Sequence, residues 1–243
     1  MRKVLKQSFF NRPAPEVAKD LLGKVLVRNL PAGRQGVGTR EIRSVITEVE
    51  AYDGFSDKAS HACPIRGVLL RAANNKNRSN MKAPLSNGAN RGKTPRNQPM
   101  FEKGGIFYVY FTYGMHWMLN IVCGPKDYPS AVLIRAGTLL NVSHSEPLGE
   151  ESQRGSFASL RMTHSINGPA RLTKFLKINK KFNGLKALPK NGLWFEDRGM
   201  SARGGSAFGG KPKKIFAKKR VGVDYAGKWA NKKWNYSCEI TNA

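Results

Sequence analysis

Acidic side chains are scarce in this chain. Its 243 residues hold 16 Asp and Glu against 42 Lys and Arg, for a formal charge of +26. A balance so one-sided draws a protein onto polyanions, nucleic acid first and an anionic membrane surface second. A merely solubilising basic surface is the plainer alternative. Cysteine is rarer still: Cys63, Cys123 and Cys238 are odd in number, far apart, and form no CxxC pair. That supports neither a disulfide framework nor a structural zinc site, and it fits a reducing cytoplasm. No apolar run approaches a membrane span, and the opening MRKVLKQSFF is too short and polar for a secretion signal. The expectation is a soluble cytoplasmic protein. With 40% hydrophobic residues, the chain can still build one substantial core.

The patterned segments come first. Residues 13–23 (PAPEVAKDLLG) place Val17, Ala18, Leu21 and Leu22 on one helical stripe, with Gly23 as a C-cap. Residues 24–28, 45–52 and 131–136 read as strands. Residues 106–123 read as two strands joined around Tyr113-Gly114. Residues 167–178 (NGPARLTKFLKI) predict a helix with Asn167 as N-cap, Pro169 in its first turn and a Leu172, Phe175, Leu176 stripe. Residues 220–236 suggest a last strand pair turning at Gly227.

Four stretches lack such periodicity: 31–44, 62–93, 140–166 and 198–213. The second holds six Asn and seven Lys or Arg with no acid. Together the four account for +12 of the charge, so about +14 stays on the framework. Unpatterned loops this long are uncommon in compact domains. Val68-Leu69-Leu70 is the one local apolar patch and suggests a short helix.

The chemistry concentrates in residues 46–61, ITEVEAYDGFSDKASH. Strand alternation puts Glu48, Glu50 and Tyr52 on one face and Thr47, Val49 and Ala51 on the other. Two acids and an aromatic make a poor core; they suit a site that holds a flat ring and activates a water. Tyr52, His61 and Tyr110 can supply ring faces and edges, and Glu50 a carboxylate beside a sugar carbon. Glu48 reads as structural, with a paired-carboxylate site left open. Within FYVYFTYGMHWMLN, Tyr108, Tyr110 and Thr112 share a face and Tyr113 falls at the hairpin tip. A large aromatic there either enters a base stack as a wedge or folds back on its own sheet.

Residues 46–62, the block TPRNQPMF (94–101), residues 108–122, AVLIRA (131–136), NGPARLTKFLKI (167–178) and RVGVDYAGKWA (220–230) together resemble the alkyladenine (3-methyladenine) DNA glycosylase family. They occur in family order and cover most of the patterned chain. The resemblance implies a single α+β domain, spanning residues 1–243, around a curved antiparallel sheet with a protruding hairpin that intercalates into DNA. It implies Glu50 as the general base that activates water, and Tyr52, His61 and Tyr110 as the rings around a flipped base. Asn120 is then the residue that screens bases sterically, Tyr113 the wedge, Arg135 a pocket arginine and Arg96 a contact to the DNA backbone. It implies no metal, no organic cofactor and no lysine nucleophile. The partner is duplex DNA carrying damaged purines, and the protein is taken as a monomer at the nucleoid.

The chain departs from the family pattern in its long loops. His61 and Thr94 are separated by 32 residues where the family uses a handful, and stretches 140–166 and 198–213 also look inserted. They are extra DNA-binding arms or inert insertions. The ending KKWNYSCEI lacks the expected proline–tryptophan pattern. Two rivals stay open: a noncatalytic basic nucleic-acid-binding protein on the same fold, and an RNA-associated factor.

Overall fold

Strand β3, Thr39–Asp53, is the organising element. The computed structural model describes residues 3–31, 39–63, 92–140, 165–197, 212 and 214–239. Among them one open antiparallel sheet of ten strands runs β1-β8-β2-β3-β6-β5-β4, with β10 branching from β3 to carry β9, and β7 added to β6. The strands are β1 Lys3–Val4, β2 Val25–Pro31, β4 Phe107–Thr112, β5 His116–Val122, β6 Ser130–Leu140, β7 Ser165–Asn167, β8 Leu193–Asp197, β9 Ile215–Lys218 and β10 Asn235–Cys238. Helices α1 (Gln7–Phe10), α2 (Ala14–Leu21) and α3 (Pro169–Phe175) complete the α+β architecture. No helix of the described residues is long and apolar enough to cross a membrane.

The main core lies between the helices and one face of the sheet. Val17, Ala18, Leu21 and Leu22, the predicted α2 stripe, are buried against Ile46, Val49, Ala51, Val132 and Ile134. The C-cap is Leu22 and not the expected Gly23: Leu22 is extended and its N–H bonds the Lys19 carbonyl, while Gly23, at φ 79, turns the chain toward β2 and its N–H bonds the Ile46 carbonyl at 2.9 Å. In α3, Leu172 and Leu176 are buried and Phe175 is partly so. Asn167 is not its N-cap: it ends β7, and Gly168, at φ 100, supplies the turn into Pro169.

Several elements exceed their sequence signals. The stretch 31–44 gives Pro31 to β2 and Thr39–Ser44 to β3, because residues 39–45 pair with β2. Leu140 closes β6, and Ser165 and Ile166 belong to β7. The Val68-Leu69-Leu70 helix lies outside the described residues. The expected strand pair across 220–236 is corrected: Asp224–Asn231 forms 3-10 turns kinked at Gly227, and β10 pairs with β9, which precedes that span. Tyr225, Ala226, Trp229 and Ala230 recur with helical spacing, and this apolar side packs on Tyr52 and Ala59.

Alternation along β3 is interrupted once. Ile46 pairs with Gly137, Glu48 with Ala136 and Val49 with Ile134, so the register slips at Thr47 on β3 and is restored at Arg135 on β6. This irregularity lets Ile46 join Val49 and Ala51 in the main core. From Glu48 onward the face expected for Glu48, Glu50 and Tyr52 holds; Thr47 sits at the slip itself. Bulge-like insertions of this kind re-aim side chains.

Asp53, at the end of β3, has an Oδ1 that meets no donor among the described residues. Burial raises its carboxyl pKa above the ordinary 3.8, the backbone N–H of Ala14 opposes the rise, and the Asp57 charge adds to it. An acid shifted upward disfavours folding once ionised. The penalty is absent below the ordinary value and appears as pH rises through the folded value. Asp53→Asn is therefore expected to raise the melting temperature at pH 7 and to bring no gain below pH 3.8. A melting temperature that falls at pH 7 would refute this.

Candidate active site

One cross-strand row builds the site. Asn235 on β10 pairs with Glu50 on β3, Glu50 with Leu133 on β6, Leu133 with Asn120 on β5, and Asn120 with Tyr108 on β4. Residues paired in this way present their side chains to the same face. Four of them, Glu50, Leu133, Asn120 and Tyr108, line a cavity of about 280 Å³ on the face away from the main core. That volume falls just below the usual range for ligand pockets, which begins near 300 Å³.

Glu50 is fully buried. Its Oε1 accepts from the Val221 backbone N–H at 2.8 Å and from Asn235 Nδ2 at 2.9 Å. Its Oε2 accepts from the Tyr52 hydroxyl at 2.9 Å and faces Arg135 Nη1 at 3.2 Å. A carboxylate has about four acceptor positions, and these donors occupy them. Glu48 shares two of the partners: Arg135 Nε at 3.1 Å and Asn235 Nδ2 at 2.8 Å. Burial pushes the Glu48 carboxyl pKa up, but the Asn235 hydrogen bond and the charges of Arg135 and Lys218 outweigh it and leave the value lowered. Burial first, then the Glu50 charge, push the Tyr52 phenol well above its usual value, so it remains a proton donor to Glu50.

Aromatic rings form the cavity walls. His61 lies edge-on to Tyr110 with centroids 4.5 Å apart, and its Nδ1 is 2.9 Å from the Tyr108 hydroxyl. Asn120 Nδ2 donates to the Tyr108 carbonyl at 3.1 Å, so one tyrosine orients two cavity residues. The 32 residues between His61 and Thr94 leave the two segments adjacent: Asn97 Nδ2 donates to the His61 carbonyl at 3.0 Å.

The hairpin β4–β5 turns through Tyr113, Gly114 and Met115. Tyr113 adopts φ 52 and Gly114 φ 68. Tyr113 is 83% exposed and Met115 68%. The tyrosine is therefore not folded back on its sheet, and it lies at the rim of the cavity. Below it, the Phe111 and Trp117 rings pack at 4.7 Å across the strands. Arg96 donates to the Phe111 carbonyl at 3.0 Å, with its guanidinium 5.2 Å from the Tyr110 ring centroid.

The structure thus brings Glu50, Tyr52, His61, Tyr110, Tyr113, Asn120 and Arg135 onto one cavity and leaves Arg96 outside it, braced on the hairpin. Sequence reasoning missed Asn235, which joins the two glutamates, and Val221, Val223 and Tyr225, which close the cavity. The motif RVGVDYAGKWA contained the last three. Nothing in the sequence marks Asn235, whose importance comes from pairing with Glu50 across strands 185 positions apart. Among the described residues, no group of three His, Cys, Asp or Glu converges as metal ligands would.

Asn235→Leu removes a donor from both glutamates while keeping the branched outline of the side chain. It is expected to lower the unfolding free energy by about 1–3 kcal/mol, the usual penalty for a buried polar group left without its partner. Urea titration measures this, and an unchanged midpoint would mean that the carboxylates recruit another donor.

Residues 8–241 match the family profile described as methylpurine-DNA glycosylase. A Methanocella arvoryzae protein named "Putative 3-methyladenine DNA glycosylase" is 38% identical over 235 residues, covering 96% of this chain and 91% of the relative. Proteins of the same name from Psychrobacter cryohalolentis and Clostridium novyi are 36% and 33% identical, covering 92% and 96% of this chain and 86% and 94% of their own lengths. Match and relatives alike span nearly the whole sequence, so this chain belongs to the methylpurine-DNA glycosylase family.

Proposed function

We propose that this protein is a monofunctional DNA glycosylase that extrudes an alkylated purine from duplex DNA and hydrolyses its N-glycosidic bond, leaving an abasic site. The observation that carries this reading is a buried carboxylate, Glu50, in a cavity of about 280 Å³ walled by Tyr52, His61, Tyr108 and Tyr110. Enzymes that act on a base must take it out of the stack, and a damaged base is the easiest to remove. Alkylation at a ring nitrogen gives the purine a positive charge, which electron-rich ring faces attract. The same charge makes the base a good leaving group.

In this mechanism a water oxygen adds to the sugar C1′ as the bond to the base nitrogen breaks. The bonding electron pair leaves with the purine, and the water proton passes to Glu50. The Glu50 charge also stabilises the cationic sugar that develops. Both donors on Oε2, the Tyr52 hydroxyl and Arg135 Nη1, belong to cavity-lining residues. One of them must yield its place on Oε2 to the water when the nucleotide enters. Asn120, fixed by the Tyr108 carbonyl, presses on the purine edge and screens its substituents. Tyr113 fills the gap left in the duplex, and the excess of 42 basic over 16 acidic residues supplies affinity through phosphates.

The test is base release from duplexes carrying 3-methyladenine, 7-methylguanine, hypoxanthine or ethenoadenine. Release from none of them, with duplex binding intact, would leave a noncatalytic binding protein. Glu50→Gln is expected to bind lesion DNA normally and to release base about 10²–10⁴-fold more slowly, the usual worth of a general base; release at the native rate sinks the assignment. Tyr113→Ser is expected to weaken binding to lesion duplex more than binding to undamaged duplex in the same salt. Equal losses would show that the tyrosine is no wedge.

A further inference from the structure

A buried ion pair stands behind the cavity, and the reading above assigns it no role. Arg220 and Asp57 are both fully shielded from solvent. They meet through two contacts, Nη1 to Oδ2 at 2.5 Å and Nη2 to Oδ1 at 2.9 Å. Neither side chain lines the cavity, yet each is tied to residues that do. Arg220 Nη1 also donates at 2.9 Å to the carbonyl of Ala51, the residue between Glu50 and Tyr52. Its Nη2 donates at 3.0 Å to the Trp229 carbonyl, which closes the turns carrying Val223 and Tyr225. The guanidinium lies 4.9 Å from the Tyr52 ring centroid. The next residue, Val221, gives its N–H to Glu50. On the other side, Asp57 accepts from the N–H groups of Asp53 and Ala59 and so shapes the turn that delivers His61.

We infer that Arg220 and Asp57 form a positioning pair that sets the mutual geometry of Glu50, Tyr52 and His61. Two stretches far apart in sequence converge on it: residues 51–61, from the end of β3 through the turn that follows, and the segment 220–231. A charge pair this deeply buried is weak evidence for stability, because apolar residues of similar volume often replace such pairs without loss. Its fit is evidence of precision instead. A planar five-donor fork can hold a carboxylate, two carbonyls and a ring face at once, as a lysine cannot. Displacing reacting groups by about 1 Å can slow a reaction about 10²-fold.

This inference rests on the glycosylase reading, and the experiment separates the two. The double variant Arg220→Met/Asp57→Leu removes both charges and leaves neither unpaired. Single-turnover base release, affinity for undamaged duplex, melting temperature and hydrogen exchange at the Val221 amide are measured beside the native protein. The expected result is a melting temperature near the native one, unchanged affinity for undamaged duplex, release slowed about 10²-fold, and faster Val221 exchange. Native release with native exchange overturns the proposal; so does a rate loss that disappears when the assay is cooled in step with a lowered melting temperature. If the native protein releases no base at all, the glycosylase reading fails, and Val221 exchange alone decides whether the pair positions Glu50. Should the apolar pair not fold, Arg220→Lys is read by the same four measurements. It keeps the charge but loses the fork.

Discussion

A charge hidden from water dictates much of this architecture. Glu50 is wholly shielded, and an unpaired buried carboxylate is not sustainable in a folded protein. Its donors come from four places: β10, β6, the next residue but one on β3, and the segment that follows β9. That demand explains why β3 has to run so long. Its first half pairs with β2, and its second half releases β2 and takes up β10, which brings Asn235 within reach. It also explains the slip at Thr47 and Arg135, which sets the arginine opposite two glutamates.

The same register separates two functions of one sheet. On one face Ile46, Val49, Ala51, Ile121, Val132 and Ile134 belong to the helix-covered core. On the other, Glu50, Tyr52, Asn120, Leu133 and Tyr108 surround a cavity. Alternation along each strand therefore lets the rigid core hold the polar face in place, since any local shift of the site would also displace packed apolar side chains. Rigid support of this kind suits a site that must hold a ring and a carboxylate together.

Much of this was legible in the sequence because it is local. The helix stripe at Val17–Leu22 and the alternation through Glu48, Glu50 and Tyr52 are properties of short windows. The hairpin could be read from FYVYFT and its glycine-containing turn. What stayed hidden depends on pairing between distant segments. Asn235 carries no signal of its own, and Arg220 looks like one more cation in a chain with 42 of them. The last motif was misread as strands because glycine suggested a hairpin turn, whereas packing of Tyr225, Ala226 and Trp229 on Tyr52 and Ala59 favours compact turns. The slip in β3 could not be anticipated, because it exists only relative to β6. Arg96 is exposed, and its hydrogen bond to Phe111 and its place over the Tyr110 ring, neither legible in the sequence, brace the hairpin.

The tip of that hairpin presents Tyr113 and Met115 to water, with Phe111 beside them. Apolar projections of this sort invite copies of a protein to stick to one another. The net charge of +26 sets a long-range repulsion against that tendency. Salt weakens the repulsion and leaves the greasy tip as it was. Colloidal stability in concentrated solution should therefore be governed by ionic strength, and the residues that make the molecule adhesive toward one polyanion keep it dispersed from its own kind.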